Sequence, residues 1–100
     1  MKQRGDQPVS HAIEKTVPII NRLGLHARAA AKLVTLAVRF HCDVRVRKDG
    51  REVSGKSIMG VLMLAAAQGS SITLIAEGDD AQQAIDALAE LVANRFDEEA

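Results

Sequence analysis

The sequence predicts a two-layer α/β sandwich (α+β) in which helices cover an antiparallel sheet. One segment of alternating apolar and polar residues ends at Asp49-Gly50, a dipeptide that favours a tight hairpin between antiparallel strands. Two other segments, 27–40 and the stretch that follows Asp79, carry apolar residues at helical spacing. With the remaining elements, the order along the chain is strand, helix, hairpin, short helix, strand, helix.

The first half of the chain contains a strand and a helix. Apolar residues alternate with others between 13 and 19, and Pro18 in this run cannot donate to a strand ladder, so the strand is expected at a sheet edge. A turn at 21–24 precedes an amphipathic helix that is expected over 27–40. Its apolar face is formed by Ala30, Leu33, Val34, Ala37 and Phe40.

The second half begins with the hairpin, whose strands are expected at 42–47 and 51–53. Residues 57–66 are rich in Met, Leu and Ala, which predicts a short helix that ends near Gln68-Gly69. A strand at 71–76 follows. Asp79 and Gln82 then have the spacing of a capping box, which predicts the start of the last helix.

Length and composition limit the classes of function. One hundred residues with 47% hydrophobic content predict a single domain, assigned to 12–97, after a disordered extension at 1–11. A net charge of zero and only two aromatic residues argue against nucleic-acid binding. No run approaches the ~20 apolar residues of a membrane span. Since Cys42 is the only cysteine, a protein without internal disulfides, located in the cytoplasm, is expected.

The candidate reactive group is His26, immediately before the first predicted helical residue. A helix N-terminus presents unpaired N–H groups and the positive end of the macrodipole, so it disfavours an imidazolium ring and favours a bound phosphate. Arg28 adds a guanidinium that can bind two phosphate oxygens at once. On these two residues alone, an ordinary helix start beside a solvated arginine is the simpler interpretation.

Two longer motifs favour the phosphoryl site over that simpler interpretation. The segment Asn21-Arg-Leu-Gly-Leu-His-Ala-Arg-Ala-Ala-Ala-Lys-Leu-Val34 resembles the active-site signature of the HPr family of phosphocarriers. The segment Gly55-Lys-Ser-Ile-Met-Gly-Val-Leu-Met-Leu64 resembles the second signature of that family. The resemblance extends over about residues 13–96.

This resemblance implies a fold of βαββαβα topology, with three helices on a four-stranded antiparallel sheet of order 1-4-2-3. It implies that enzyme I, the phosphoenolpyruvate-protein phosphotransferase, phosphorylates His26 on Nδ1 and that Arg28 stabilises the phosphate. An enzyme IIA domain is the implied next acceptor. Ser57 corresponds to the regulatory serine, a target of HPr kinase/phosphorylase. A monomeric carrier without a cofactor is expected, which is not a stand-alone enzyme.

Ser57 is also positioned to cap the short helix, and that role requires no regulation. A phosphate there would add up to about two negative charges beside Ile58 and Met59. The resemblance assigns Ala27, Ile58, Met59 and Leu62 to partner docking, Met59 most firmly. From spacing alone, the apolar residues of this helix are equally consistent with the core.

One position departs from the family motif, since Ala29 stands where proline is usual. Alanine is a good helix former, so the first turn of the helix is expected to persist with slightly more flexibility. Residues 21–26 and 94–98 also resemble the nitrogen-related branch, which leaves the sugar-type and nitrogen-type systems open. Two other interpretations are a mainly regulatory binding protein and a small structural or ligand-binding domain with accidental motifs.

The remaining reactive side chains indicate no further site. His11 and His41 lack the spacing of metal ligands, so no metal site is expected. Cys42 alternates with valines, which predicts a buried thiol rather than a reactive one. Lys56 is expected to face solvent or an acidic partner. Four other cations are expected to be solvated: Lys32, Arg45, Arg47 and Lys48.

Overall fold

The computed structural model describes residues 11–99 as a four-stranded antiparallel sheet with three helices. Residues 1–10, which include nearly all of the expected N-terminal extension, and Ala100 lie outside the described residues. A left-handed turn at Arg95–Asp97, closed by i→i+3 backbone hydrogen bonds, follows the last helix. The strands are β1 (Ile13–Pro18), β2 (Asp43–Lys48), β3 (Arg51–Ser54) and β4 (Ser71–Glu77), and the helices are α1 (Ala27–Ala37), α2 (Ile58–Leu62) and α3 (Ala81–Ala93).

The sheet has the order β1-β4-β2-β3, and every neighbouring pair is antiparallel. The predicted fold class and strand order are therefore confirmed. Among the described strands β1 pairs with β4 alone, and Pro18 stands opposite Ser71 at the end of the pair. This confirms the edge position predicted from the proline. At an edge, the missing N–H of Pro18 leaves no hydrogen-bond acceptor unpaired inside the sheet.

The predicted hairpin connects β2 and β3. Lys48 pairs with Arg51, so Asp49 and Gly50 form a two-residue loop. Both have positive φ angles, 52° and 83° respectively. Two consecutive left-handed residues match the right-handed twist of the flanking strands, which is why Asp-Gly is favoured at this position.

The core lies between the sheet and the helices. Helix α3 packs on β1 and β4, and α1 packs against α2 and α3. None of the helices within residues 11–99 is long and apolar enough to cross a membrane. The largest fully buried side chains are Phe96, Ile19, Leu33, Ile72, Leu74, Ile75, Ile85, Leu88, Val44, Val46, Val61 and Val92.

Helix α2 ends at Leu62, before the predicted end near Gln68-Gly69. Ala65 has a φ of +50°, and the chain leaves the helical path there to bury Leu64 and Ala66. The carbonyl of Ala66 accepts a hydrogen bond of 2.8 Å from the N–H of Leu25. This contact between distant segments replaces the last helical turn that composition had predicted. Helix α1 likewise ends at Ala37, before the predicted residue 40.

The capping box predicted for α3 is wrong. The N-cap is Asp80, and its side chain makes no capping hydrogen bond. Its carboxylate instead accepts from the backbone N–H groups of His41 and Cys42, at 2.8 Å each. These bonds connect the start of α3 to the loop before β2, because two backbone donors at that loop need acceptors.

Candidate functional site

His26 occupies the N-cap position of α1, as predicted. Its backbone is extended, with φ −77° and ψ −179°, and its carbonyl accepts from the N–H of Ala30 at 2.8 Å. Gly24, with a φ of +67°, sets the approach of the chain to the helix. A Cβ atom at Gly24 would lie 2.6 Å from the carbonyl oxygen of Ala66, so only glycine fits this turn.

The imidazole ring of His26 does not cap the helix. Its Nε2 atom is hydrogen-bonded to the Oε2 atom of Glu98. The other carboxylate oxygen of Glu98 accepts from the side-chain amide of Asn21 at 3.0 Å, and that amide also donates to the carbonyl of Gly24 at 2.8 Å. Between residues 11 and 99, no group forms a hydrogen bond with Nδ1 of His26.

The ionisation of Glu98 determines which ring nitrogen carries the proton. Burial raises the pKa of Glu98, but the hydrogen bonds from His26 and Asn21 lower it more, with smaller contributions from the charges of His26 and Lys32. The net pKa lies below the ordinary glutamate value. An ionised carboxylate can only accept hydrogen bonds, so Nε2 is the donor and Nδ1 keeps its lone pair in the neutral ring.

Glu98 reaches the histidine through an uncommon turn after α3. Arg95, Phe96 and Asp97 all have positive φ angles, 57°, 53° and 64°. Such angles cost about 1–2 kcal/mol for each non-glycine residue. The fully buried ring of Phe96 offsets part of that cost, and the carbonyl of Phe96 accepts from the ammonium of Lys32 at 2.8 Å. The turn is therefore held by packing at its centre and by α1 at its side.

Arg28 lies in the first turn of α1 and is exposed. Among the described residues, its guanidinium has no carboxylate within ion-pair distance. A surface cavity of about 280 Å³ opens beside it. The cavity is lined by Arg22, Leu23, His26, Arg28, Glu98 and Glu99.

Ser57 is the N-cap of α2, and its Oγ accepts from the N–H of Gly60 at 3.0 Å. The predicted capping role is confirmed, whereas regulation through Ser57 stays a prediction. Of the predicted docking residues, Met59 is 68% exposed, Ile58 and Ala27 are exposed, and Leu62 is half-buried against the core. Helix α2 thus presents an apolar surface to solvent.

Sequence reasoning missed Asn21 and Glu98 as members of the site and Leu23 and Met63 as exposed apolar side chains. Glu98 is 72 positions from His26, so no motif spacing could connect them. The available signal was Phe96, an apolar residue between charges just beyond the last helix. A residue of this kind commonly anchors a chain end to a core.

Several side chains that were expected to be solvated have partners. Arg45 contacts Asp43 at 2.9 Å and Glu52 at 2.7 Å, and the ammonium of Lys56 donates to the carbonyl of Phe40 at 2.8 Å. Arg47 and Lys48 also form surface ion pairs.

Cys42 is buried, as predicted. Burial raises the pKa of its thiol to about 11, with further contributions from Asp80, so the protonated, unreactive form dominates at neutral pH. Residues 11–99 contain no group of three or more His, Cys, Asp or Glu side chains that could hold a metal ion.

Comparison with known proteins identifies the family. Residues 13–94 match the family model described as the PTS HPr component phosphorylation site. The chain belongs to the HPr family of phosphocarrier proteins. It is 55% identical over 86 residues to the phosphocarrier protein HPr of Cupriavidus necator, a match that covers 86% of this chain and 97% of the relative. Members of this family work with enzymes of the phosphotransferase system.

Three further comparisons concern the subtype, the fold and the oligomeric state of related proteins. The phosphocarrier protein NPr of Shewanella violacea is 44% identical over 86 residues, covering 86% of this chain and 94% of the relative. The crystal structure of HPr-C-His from Thermoanaerobacter tengcongensis has a TM-score of 0.85 and 45% identity, covering 88% of this chain and 99% of that chain. A crystal structure of an HPr dimer from the same organism matches with a TM-score of 0.70, 45% identity and coverage of 82% and 94%.

Proposed function

We propose that this protein carries a phosphoryl group on Nδ1 of His26, which it accepts from enzyme I and passes to an enzyme IIA domain. The supporting observation is the hydrogen bond between Nε2 of His26 and the Glu98 carboxylate, because it makes Nδ1 the nucleophilic nitrogen of the neutral ring. The domain at 12–97, located in the cytoplasm and monomeric, is the functional unit of this proposal.

The surroundings of His26 favour the phosphorylated product. The phosphoryl group carries negative charge at the start of α1, where N–H groups and the macrodipole stabilise anions. Arg28 lines the same cavity and supplies a guanidinium for the phosphate oxygens. Ala29, which stands in place of the usual proline, is fully buried in the first turn and adds one N–H to this end of the helix.

The proposal is tested by incubating the protein with enzyme I and phosphoenolpyruvate. We expect one acid-labile, base-stable phosphoryl group on the wild-type chain and none on His26→Ala, measured by intact-protein mass spectrometry at alkaline pH. His41→Ala and His11→Ala are matched controls, since both histidines are exposed. Labelling that persists in His26→Ala, or that disappears in a folded control, would contradict the assignment.

The docking surface of the proposal consists of Ala27, Ile58, Met59 and Leu62. Three of these are exposed, and an apolar patch beside a transfer site suits partners that bind transiently. Ser57 adjoins this surface and is proposed as its regulatory position, phosphorylated by HPr kinase/phosphorylase. A phosphate on its Oγ would bring charge next to Ile58 and Met59 while the helix N-terminus tolerates it.

The second candidate is a mainly regulatory phosphoprotein of the nitrogen-related type, without a role in sugar transport. The 44% identity with an NPr favours it, whereas the 55% identity with an HPr favours the first. Rates of phosphorylation by the enzymes I of the two systems discriminate between them. A rate advantage for the nitrogen-type enzyme would support the second candidate.

A further inference from the structure

A chain of hydrogen bonds fixes the imidazole ring from behind. The carbonyl of Gly24 orients the amide of Asn21, that amide holds one oxygen of Glu98, and the other oxygen binds Nε2 of His26. Asn21 is fully buried and is the only buried polar residue among those described. Its amide cannot be reversed, because its oxygen would then face two acceptor oxygens.

We propose that Glu98, oriented by Asn21, is a positioning residue that holds the His26 ring in the Nε2–H tautomer required for phosphoryl transfer. This inference rests on the proposed function of His26 and extends it to two residues outside the helix start. The role resembles that of the aspartate in a Ser-His-Asp triad, which sets a histidine tautomer and stabilises the charged ring without reacting itself.

Phosphoryl transfer to Nδ1 of His26 requires no movement of the Nε2 proton. The Nδ1 lone pair of His26 forms the new N–P bond, while the N–P bond of the donor phosphohistidine breaks and its electron pair stays on the donor nitrogen. If the donor ring is protonated at its other nitrogen, it leaves as neutral imidazole. The His26 ring becomes a phosphoimidazolium whose Nε2–H faces the Glu98 carboxylate, which stabilises the positive charge.

The turn at Arg95–Asp97 places Glu98 in contact with His26. Three consecutive non-glycine residues adopt left-handed angles immediately before Glu98, and the buried ring of Phe96 lies among them. The side chains of His26 and Glu98 are 26% and 16% exposed, so their contact is partly shielded from water. Shielding strengthens a charged hydrogen bond relative to one on the open surface.

Glutamine at position 98 is the informative variant, because it keeps the size of glutamate and reverses one hydrogen bond. Its carbonyl oxygen is expected to keep the bond from Asn21, since the opposite orientation places two NH₂ groups face to face. The amide then donates to Nε2 of His26, which must become an acceptor and move the ring proton to Nδ1. Glu98→Gln should therefore fold normally and hold the wrong tautomer.

The tautomer is read from the ¹⁵N chemical shifts of the ring in alkaline buffer, and transfer is read as the initial rate of phosphorylation by enzyme I. We expect protonated Nε2 in the wild type, protonated Nδ1 in Glu98→Gln, and a rate at least about tenfold lower in that variant. Glu98→Ala should show a tautomer mixture and an intermediate rate. Glu90→Gln, an exposed change on α3, is the matched control and should behave as wild type.

Two results would overturn the inference. One is an unchanged tautomer and rate in Glu98→Gln, which would make Glu98 a structural contact only. The other is faster transfer in Glu98→Ala, which would mean that the carboxylate competes with the incoming phosphate. Failure of the proposed function is distinguishable, because the wild-type chain itself would then receive no phosphoryl group on His26.

Discussion

The N-termini of α1 and α2 differ in how the unpaired N–H groups of the first helical turn are treated. At α2, the Oγ of Ser57 accepts from the N–H of Gly60, so the side chain of the N-cap stabilises the helix. At α1, the side chain of the N-cap His26 makes no such bond and is held by Glu98 from another part of the chain. Among the described residues, no side chain caps the first turn of α1, so its N–H groups remain available to an anion. At α2, one N–H group is already hydrogen-bonded to Ser57.

The largest expected effect is on the rate of phosphoryl transfer at the start of α1, and it is expected for Arg28→Ala. The change removes the guanidinium from the cavity beside His26 and leaves the helix start intact, because Arg28 is exposed and has no carboxylate partner among the described residues. We expect phosphoryl transfer from enzyme I to slow on the order of 100-fold, measured by rapid quench, with an unchanged melting temperature.

Arg28→Lys is the matched control for this prediction. Lysine keeps the charge but lacks the planar fork of arginine, so it should restore the rate only in part. Full activity in Arg28→Ala would mean that the N–H groups of α1 suffice for the phosphate. In that case, the two helix starts would differ only in whether the side chain forms a cap.

How far the sequence determines each region follows from the range of the interactions. The hairpin at Asp49-Gly50 and the edge position of Pro18 depend on local backbone preferences, and both were predicted. The position of His26 at the start of α1 was also predicted from local pattern and motif. The role of His26 as the phosphoryl acceptor stays a prediction that the experiments above test.

The part of the site that was not predicted depends on distant packing. Glu98 reaches His26 through left-handed angles at Arg95, Phe96 and Asp97, which local propensity disfavours and burial of Phe96 makes favourable. The early end of α2 has a similar origin, since the bond from Leu25 to Ala66 overrides helical composition. Sequence patterns carry little information about such contacts, because both partners are specified far apart in the chain.

The next largest effect is expected for Ser57→Asp at the N-cap of α2, as a loss of affinity for enzyme I. Aspartate can retain a cap, and its charge adjoins Ile58 and Met59, the exposed apolar residues of α2. We expect affinity for enzyme I to fall about tenfold, since a carboxylate against an apolar partner surface loses its hydration, while the melting temperature stays close to wild type. Titration calorimetry measures the affinity.

Ser57→Ala separates docking from capping in the same position. Loss of the hydrogen bond to Gly60 should lower the free energy of unfolding by about 1 kcal/mol and leave the affinity for enzyme I nearly unchanged. Denaturant titration measures the first quantity. If Ser57→Asp bound enzyme I as tightly as wild type, Ser57 would be a helix cap without a regulatory effect on docking.

The smallest expected effect is that of low pH on stability. Acidification should weaken the hydrogen bond between Glu98 and His26 and leave the cap at Ser57 intact. The hydrogen bonds from His26 and Asn21 outweigh burial and hold the pKa of Glu98 below its ordinary value. The folded protein therefore binds this proton less readily than the unfolded chain. It follows that the stability from Glu98 is complete above the unfolded pKa and is lost as the pH falls through the folded pKa.

Comparison of wild type with Glu98→Gln isolates this contribution, since glutamine does not titrate. The difference in unfolding free energy between the two proteins should be at most about 1 kcal/mol near neutral pH and should shrink as the buffer is acidified below the glutamate pKa. Ser57→Ala should show a pH-independent difference from wild type over the same range, because neither serine nor alanine titrates there. A Glu98 difference that stays constant with pH would show that the carboxylate contributes by packing and not by its charge, and the contrast between the two helix starts would then lose its electrostatic basis.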